Sequence, residues 1–215
     1  MFAKGSLVWL ASPLATAVVV MTASVWFSSM VGYAVSVLLF LITLFMAYFF
    51  RDPEREVGNG IVSPADGSVA FIDQEGRKLS IVLGLRHVHV ARAPHGGEVV
   101  GLERRSGRHR PAYKEVSETN ERVEVVISSG FGDLSMTMIT GFIARRILPY
   151  VTVGDELRKG DRVGIIRFGS RVDLRLPEGC RITAHLGDKV KALVGNRADV
   201  LELERRVIDT WCRVH

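Results

Sequence analysis

The dipeptide Gly169-Ser170, inside "GIIRFGSRVDLRLP" (164–177), is a pair of residue types that could do chemistry, although alone it is a weak signal. A glycine ahead of a serine leaves the intervening carbonyl unshielded and permits backbone angles barred to other residues. The serine hydroxyl could then attack the carbonyl of its own preceding residue, an N-to-O acyl shift, provided a base takes its proton and the turn holds the geometry. The stretch otherwise reads as one β-strand, in which a bulge glycine followed by serine is the commoner explanation. A carboxylate and two histidines are candidates to assist. Asp66, in "VSPADGSV" (62–69), sits between a Pro-Ala corner and a glycine, where an aspartate either caps a turn or orients a histidine base. His87 and His89, in "RHVHVARAP" (86–94), lie two apart in a strand-like segment and would share a face, with Val88 and Val90 on the other. Either histidine could be a surface group, or the base for Ser170. A metal pair would need a third ligand, and no spacing supplies one, so no metal site is expected.

These residues must be positioned by what surrounds them, and the chain divides sharply. Within residues 1–50 Lys4 is the only charged side chain. The runs 7–27 and 31–50 are each apolar and long enough to cross a hydrocarbon core of about 30 Å. They predict a membrane anchor of two transmembrane helices over 1–50, followed by a domain over 51–215. Lys4 precedes the first span, Arg51 and Arg55 follow the second, and the connector "SSM" is uncharged. The positive-inside tendency therefore places both ends and the domain on the cytoplasmic side of the inner membrane. A cleaved signal peptide within 1–25 is the alternative, but the second full-length span argues for a hairpin. Cys180 and Cys212 lack any zinc or redox spacing and read as buried or incidental thiols. The net charge of +5 is mild, with local clusters such as "RSGRHR" (105–110). Beside a membrane anchor such a face reads either as a surface for anionic lipid or as a solvated face without a partner, and no nucleic-acid partner is expected.

Beyond residue 51 the chain is a succession of short Val/Ile-rich segments of period two, cut by glycine, which predicts a mainly β domain. Only "FIARRILPY" (142–150) could form a short helical turn. One internal echo stands out: "VGDELRKGD" (153–161) and "LGDKVKALV" (186–194) both set Gly-Asp before alternating residues. Such turns join strands in barrel-sandwich domains, including lipoyl and biotinyl carriers, although the carrier lysine motif is absent. The expected fold is thus a transmembrane helical hairpin followed by a barrel-sandwich-like β domain with short helical turns.

Taken together, "FFRDPER" (49–55), "SPADG" (63–67), "VHVARAP" (88–94), "ETNER" (118–122), "GFIARRI" (141–147) and "GDELRKGDRVGIIRFGSRVDL" (154–174) resemble the short, membrane-anchored form of phosphatidylserine decarboxylase, a self-processing pyruvoyl enzyme. The matching pieces span nearly the whole chain beyond the anchor. The resemblance implies cleavage between Gly169 and Ser170, into a large chain 1–169 and a small chain 170–215 whose Ser170 becomes the pyruvoyl group. It implies that Asp66, His89 and Ser170 drive that cleavage. It also implies decarboxylation of phosphatidylserine to phosphatidylethanolamine through a Schiff base, in phospholipid biosynthesis. Arg145 and Arg146 are candidates to pair with the substrate phosphate. The chain departs from the family pattern at His87, at Ala91 and at Arg92, where longer relatives carry a second histidine. His87 and Arg92 are therefore open as auxiliary groups, and the division of work between them and His89 is not fixed by sequence.

Two further readings stay open at this level. The same head-group chemistry would serve archaetidylserine, an ether lipid. A non-enzymatic, membrane-anchored barrel-sandwich adaptor would share the fold, but normally carries a coiled-coil hairpin for which no heptad stretch exists here. The partners expected are the phospholipid substrate, the membrane, the two chains of one precursor and a possible homo-oligomer.

Overall fold

The computed structural model describes residues 1–107, 119–141, 146–167 and 170–193, with the backbone of 201–203. It divides into two compact units, Met1–Glu54 and Arg55–His215.

In the first unit two helices, α1 (Leu7–Phe27) and α2 (Met30–Phe49), are long and apolar enough to cross a membrane. They are joined by a tight turn in which Ser28 takes a left-handed conformation and the Ser29 hydroxyl accepts the Gly32 N–H. Small residues let the helices approach: a Cβ on Gly32 would lie 2.0 Å from the Ser24 Oγ. Ser24, Ser36 and Thr43 are buried there, each hydroxyl donating to a carbonyl of its own helix, so no polar group is stranded. The two ends meet, with Ala3 N–H donating to Phe50 O and Asp52 N–H to Met1 O. Lys4 and Arg51 consequently lie at the same end of the hairpin.

The second unit is built of β1 (Gly67–Asp73), β2 (Lys78–Leu83), β3 (Val90–Arg92), β4 (Gly97–Arg105), β5 (Arg122–Ser129), β6 (Gly132–Thr140), β7 (Ile147–Pro149), β8 (Glu156–Leu157), β9 (Arg162–Ile166), β10 (Ser170–Arg175), β11 (Cys180–Ile182), β12 (Lys189–Val190) and β13 (Leu201–Leu203). Eight of them form one sheet in the order β12-β1-β2-β10-β6-β5-β4-β8; β3-β9-β7 form a second and β11-β13 a third. All pairings among the described residues are antiparallel. The result is a β half-barrel, as the period-two patterning predicts. Alternate residues of the large sheet, among them Leu79, Ile81, Val125, Met136, Met138, Val172 and Leu174, are fully buried in one core with Ala91, Ile147, Val163 and Ile166 of the smaller sheet. Each such side chain contributes roughly 1.5–3 kcal/mol.

The Gly-Asp echo is a repeated structural device. In "TVGD" (152–155) and "HLGD" (185–188) the glycine has φ of 93° and 87°, and the aspartate carboxylate accepts the N–H three residues back. The carbonyl and N–H of each turn then grip one strand residue, Val99 in β4 and Val69 in β1, at opposite edges of the large sheet. "RKGD" (158–161) repeats the turn a third time, with Gly160 at φ 94° and Ala93 as the gripped residue.

Two expectations are corrected. The stretch 164–177 is not one interrupted strand: β9 ends at Ile166 in the three-stranded sheet and β10 begins at Ser170 in the eight-stranded one. The chain changes sheets between them, the kind of corner by which strands pass from one sheet to the next. The helical turn expected over 142–150 is β7 at Ile147–Pro149, because its backbone pairs with Ile166–Gly164; residues 142–145 lie outside the described residues.

Candidate active site

Ser170 is the first residue of β10, flanked by Leu83 of β2 and Thr140 of β6. Alternation along β10 sends its side chain to the core side with Val172 and Leu174. The residue is 0% exposed, and its Oγ has no hydrogen-bond partner among the described residues. A buried hydroxyl left unsatisfied costs about 1–3 kcal/mol, and a fold that keeps one keeps it for a reason. An unengaged oxygen at the start of a strand is available to act as a nucleophile. Gly169 lies outside the described residues.

The partner strands hold this corner tightly. Asn120, from "ETNER", is buried and donates from Nδ2 to Thr140 O at 2.7 Å. The Thr140 N–H and hydroxyl both donate to Glu121 O, so the residue beside Ser170 is fixed from two sides. Sequence reading assigned "ETNER" no role, and its single buried amide is the signal that marks one.

The histidines do not sit on a strand as alternation suggested. β3 starts only at Val90, and His87 closes a turn in which Gly84 O accepts the His87 N–H while His87 Nδ1 accepts the Gly84 N–H at 2.9 Å. His89 is buried, as are Val88 and Val90 on either side of it. Its Nδ1 lies 2.8 Å from the His87 carbonyl. A carbonyl only accepts, so Nδ1 carries a proton, and in the neutral form of the ring the lone pair is at Nε2. That Nε2 is closed to solvent, like Ser170 Oγ. The loop 84–89 that carries His89 starts after Leu83, the strand partner of Ser170, and ends where His89 O accepts the Ile166 N–H. It therefore bridges the same two sheets as residues 167–169. His87 contributes its carbonyl.

Asp66 is 5% exposed and accepts from four directions. Arg55 donates both terminal nitrogens, Nη2 at 2.8 Å, Ala192 N–H donates at 2.8 Å and Val88 N–H at 3.4 Å. Burial alone would raise its carboxyl pKa; the Arg55 bonds, the Ala192 and Val88 amides and the Arg55 charge outweigh it and hold the group below the ordinary aspartate value. Asp66 thus acts on the backbone of the residue next to His89. Its segment lies along the histidine segment, with Arg92 N–H donating to Pro64 O and Val62 N–H to Pro94 O. Sequence reading missed Arg55 as the partner, although "FFRDPER" contains it. Arg92 is itself buried and donates to Gly160 O at 3.1 Å, which ties it to the turn before β9. Arg146 is exposed just before β7, and Arg145 lies outside the described residues. Cys180 is buried, and that burial raises its thiol pKa. No group of three or more metal-ligating side chains occurs among the described residues.

Comparison with known proteins shows the family to which the chain belongs. The family model described as phosphatidylserine decarboxylase matches residues 42–193. A protein of Methanosarcina barkeri assigned as an archaetidylserine decarboxylase proenzyme is 42% identical over 196 residues, 89% of this chain and 95% of its own length. The phosphatidylserine decarboxylase proenzyme of Streptomyces coelicolor is 43% identical over 194 residues, 88% of each chain. The match takes in Arg55, Asp66, His89 and Ser170 together, and the chain belongs to the phosphatidylserine decarboxylase family.

Proposed function

We propose that this chain is a self-processing, pyruvoyl-dependent decarboxylase that converts phosphatidylserine to phosphatidylethanolamine and CO2. The observation that carries the reading is the buried, unengaged Ser170 Oγ at the crossing between two sheets.

Ser170 Oγ attacks the Gly169 carbonyl carbon as the Gly169–Ser170 C–N bond breaks, and its proton passes to His89 Nε2. The resulting ester eliminates across the Ser170 Cα–Cβ bond, releasing the 1–169 carboxylate. Hydrolysis of the dehydroalanine with loss of ammonia leaves a pyruvoyl group at the head of 170–215. The residues present fit that group, because the position is buried and makes no side-chain hydrogen bond that processing would break. The ketone supplies an electron sink for the pair released when the substrate carboxylate leaves as CO2. His89 returns a proton to the substrate carbon, its tautomer set by the His87 carbonyl. Asp66, held by Arg55, fixes the loop through Val88 N–H. One of Arg145 and Arg146 addresses the substrate phosphate, and His87 and Arg92 serve as auxiliary groups.

Two apolar helices suit an enzyme whose diacyl substrate stays in the bilayer, and Lys4 and Arg51 at one end of the hairpin support a cytoplasmic domain at the inner membrane. The intact mass of purified protein, with and without cyanoborohydride and an amine, tests the proposal. Two chains split after Gly169, the smaller one shifted by reductive amination, are expected, and Ser170→Ala should lose both cleavage and CO2 release. A full-length, active Ser170→Ala protein would overturn it. Mixed micelles of phosphatidylserine or archaetidylserine separate the two lipids, since the residues named address the head group only.

A further inference from the structure

The side of the large sheet turned away from Ser170 Oγ carries its charges in bands. Register sets Arg171, Arg122 and Arg105 in one cross-strand row, Asp173, Glu124 and Glu103 in the next, and Arg175 with Lys78 in the third. Arg105 is directly opposite Arg122, and Lys78 directly opposite Arg175. Like charges facing one another across strands are destabilising. The bands are balanced against one another instead: along single strands Arg171 chelates Asp173 and Arg105 chelates Glu103, and diagonally across strands Lys78 reaches Asp173 at 3.1 Å. Five cations nonetheless face three carboxylates. A cavity of about 280 Å³ opens on this face, with Arg105 and Arg122 on one side, Lys78 and Arg175 on the other, and Glu124 and Asp173 between them.

A complementary ligand carries anion, cation and anion in series. Strand geometry sets the two cationic bands, four residues apart on β10, about 13 Å from one another at the backbone, a span that converging arginine and lysine side chains shorten toward a single small molecule. We infer that this face binds a phosphoserine-type head group: phosphate against one cationic band, ammonium against the acidic band, carboxylate against the other cationic band. Only the choice of head group rests on the decarboxylase reading. The site is separate from Ser170, which points to the opposite side of the same strand. Loss of the carboxylate removes one of the three contacts, so the site distinguishes the serine head group from the ethanolamine one.

The test uses full-length Ser170→Ala protein in detergent, with soluble glycerophosphoserine as the probe in equilibrium dialysis. Two equivalents are expected to bind, one at the catalytic corner and one on the sheet face. Arg122→Ser/Arg175→Ser should leave one, and Arg175→Glu, at an exposed position, should weaken the second at least tenfold if the double variant does not fold. Glycerophosphoethanolamine should bind the face at least tenfold more weakly. Displacement by phosphatidylserine micelles that depends on Arg175 identifies the lipid-borne head group as the source; displacement by the soluble form alone identifies the free one, and both support the site. Unchanged stoichiometry and affinity in the variants would overturn the inference, as would inorganic phosphate competing as well as glycerophosphoserine. Because this protein is uncleaved and inactive, failure here is distinguishable from failure of the decarboxylase reading, which is judged by cleavage and CO2 release.

Discussion

The two faces of β10 divide the molecule's work. On one side Ser170, Val172 and Leu174 are fully buried, and the only polar group among them is an unengaged hydroxyl. On the other, Arg171, Asp173 and Arg175 belong to a charged surface in which Asp173 is paired with both Arg171 and Lys78. The side-chain period of a strand is two, so these sets are interleaved residue by residue and a one-residue slip in register would exchange them. Antiparallel pairing to β2 on one side and β6 on the other specifies that register over all six residues. The difference teaches that burial alone does not mark the site: Asp173 and Arg171 are nearly as buried as Ser170, but their polar groups are mutually satisfied.

The largest effect expected from disturbing this contrast is at its first residue. Ser170→Ala removes an oxygen that has no hydrogen-bond partner among the described residues, so the chain should fold as an uncleaved precursor and lose all decarboxylation. A thermal melt alongside the CO2 assay checks both halves. If the variant fails to fold, Ser170 is structural and the comparison fails with it. On the charged face Asp173→Ala is the opposite case. It strands Arg171, 5% exposed, and should cost about 3–5 kcal/mol of stability by denaturant unfolding, as breaking a buried pair does. Leu174→Ala on the core side should cost about 2–5 kcal/mol through the cavity it leaves.

How far this was readable in the sequence depends on the distance between partners. The Gly-Asp turns were legible because each is closed within four residues: the glycine takes the left-handed conformation and the aspartate reaches back three positions. Gly169-Ser170 could be singled out as a candidate for a similar local reason. The crossing between sheets was not, because β9 and β10 are both apolar short strands and periodicity cannot say which sheet a strand joins. The loop that carries His87 and His89 was read as strand, since the bond from Gly84 N–H to His87 Nδ1 that folds it leaves no mark in the alternation. Arg55 went unassigned because its partner lies eleven residues on and its contact to Ala192 O is far distant in sequence.

Asp66 gives a smaller, pH-dependent effect that separates the inner carboxylate from those of the outer face. Its folded pKa is depressed, so its contribution is fully present above the ordinary value of 3.8 and is lost as pH falls through the lower folded value. Between pH 5 and 8 the melting temperature of the Ser170→Ala precursor should not change on this account; under strong acid it should fall, and Asp66→Asn should blunt that fall. An Asp66→Asn protein with the parent's acid limb would show that the Arg55 clamp is not what acid releases.

The smallest effect is expected at Arg175, the last residue of the strand. It is exposed and lies at the margin of the charged face, beyond the Arg171–Asp173 pair. It stands directly opposite Lys78, so Arg175→Ser removes one member of a like-charge pair, and the relief offsets the loss of its packed stem. Surface changes of this kind move stability by no more than about 0.5 kcal/mol. Denaturant unfolding should therefore leave the Arg175→Ser midpoint nearly where it was, and turnover at saturating substrate should be unaltered, since Ser170 faces the other way. A loss of stability comparable to that of Asp173→Ala would mean that the outer bands are structural in the same sense as the core, and would remove the physical basis for treating the two faces of β10 as separate.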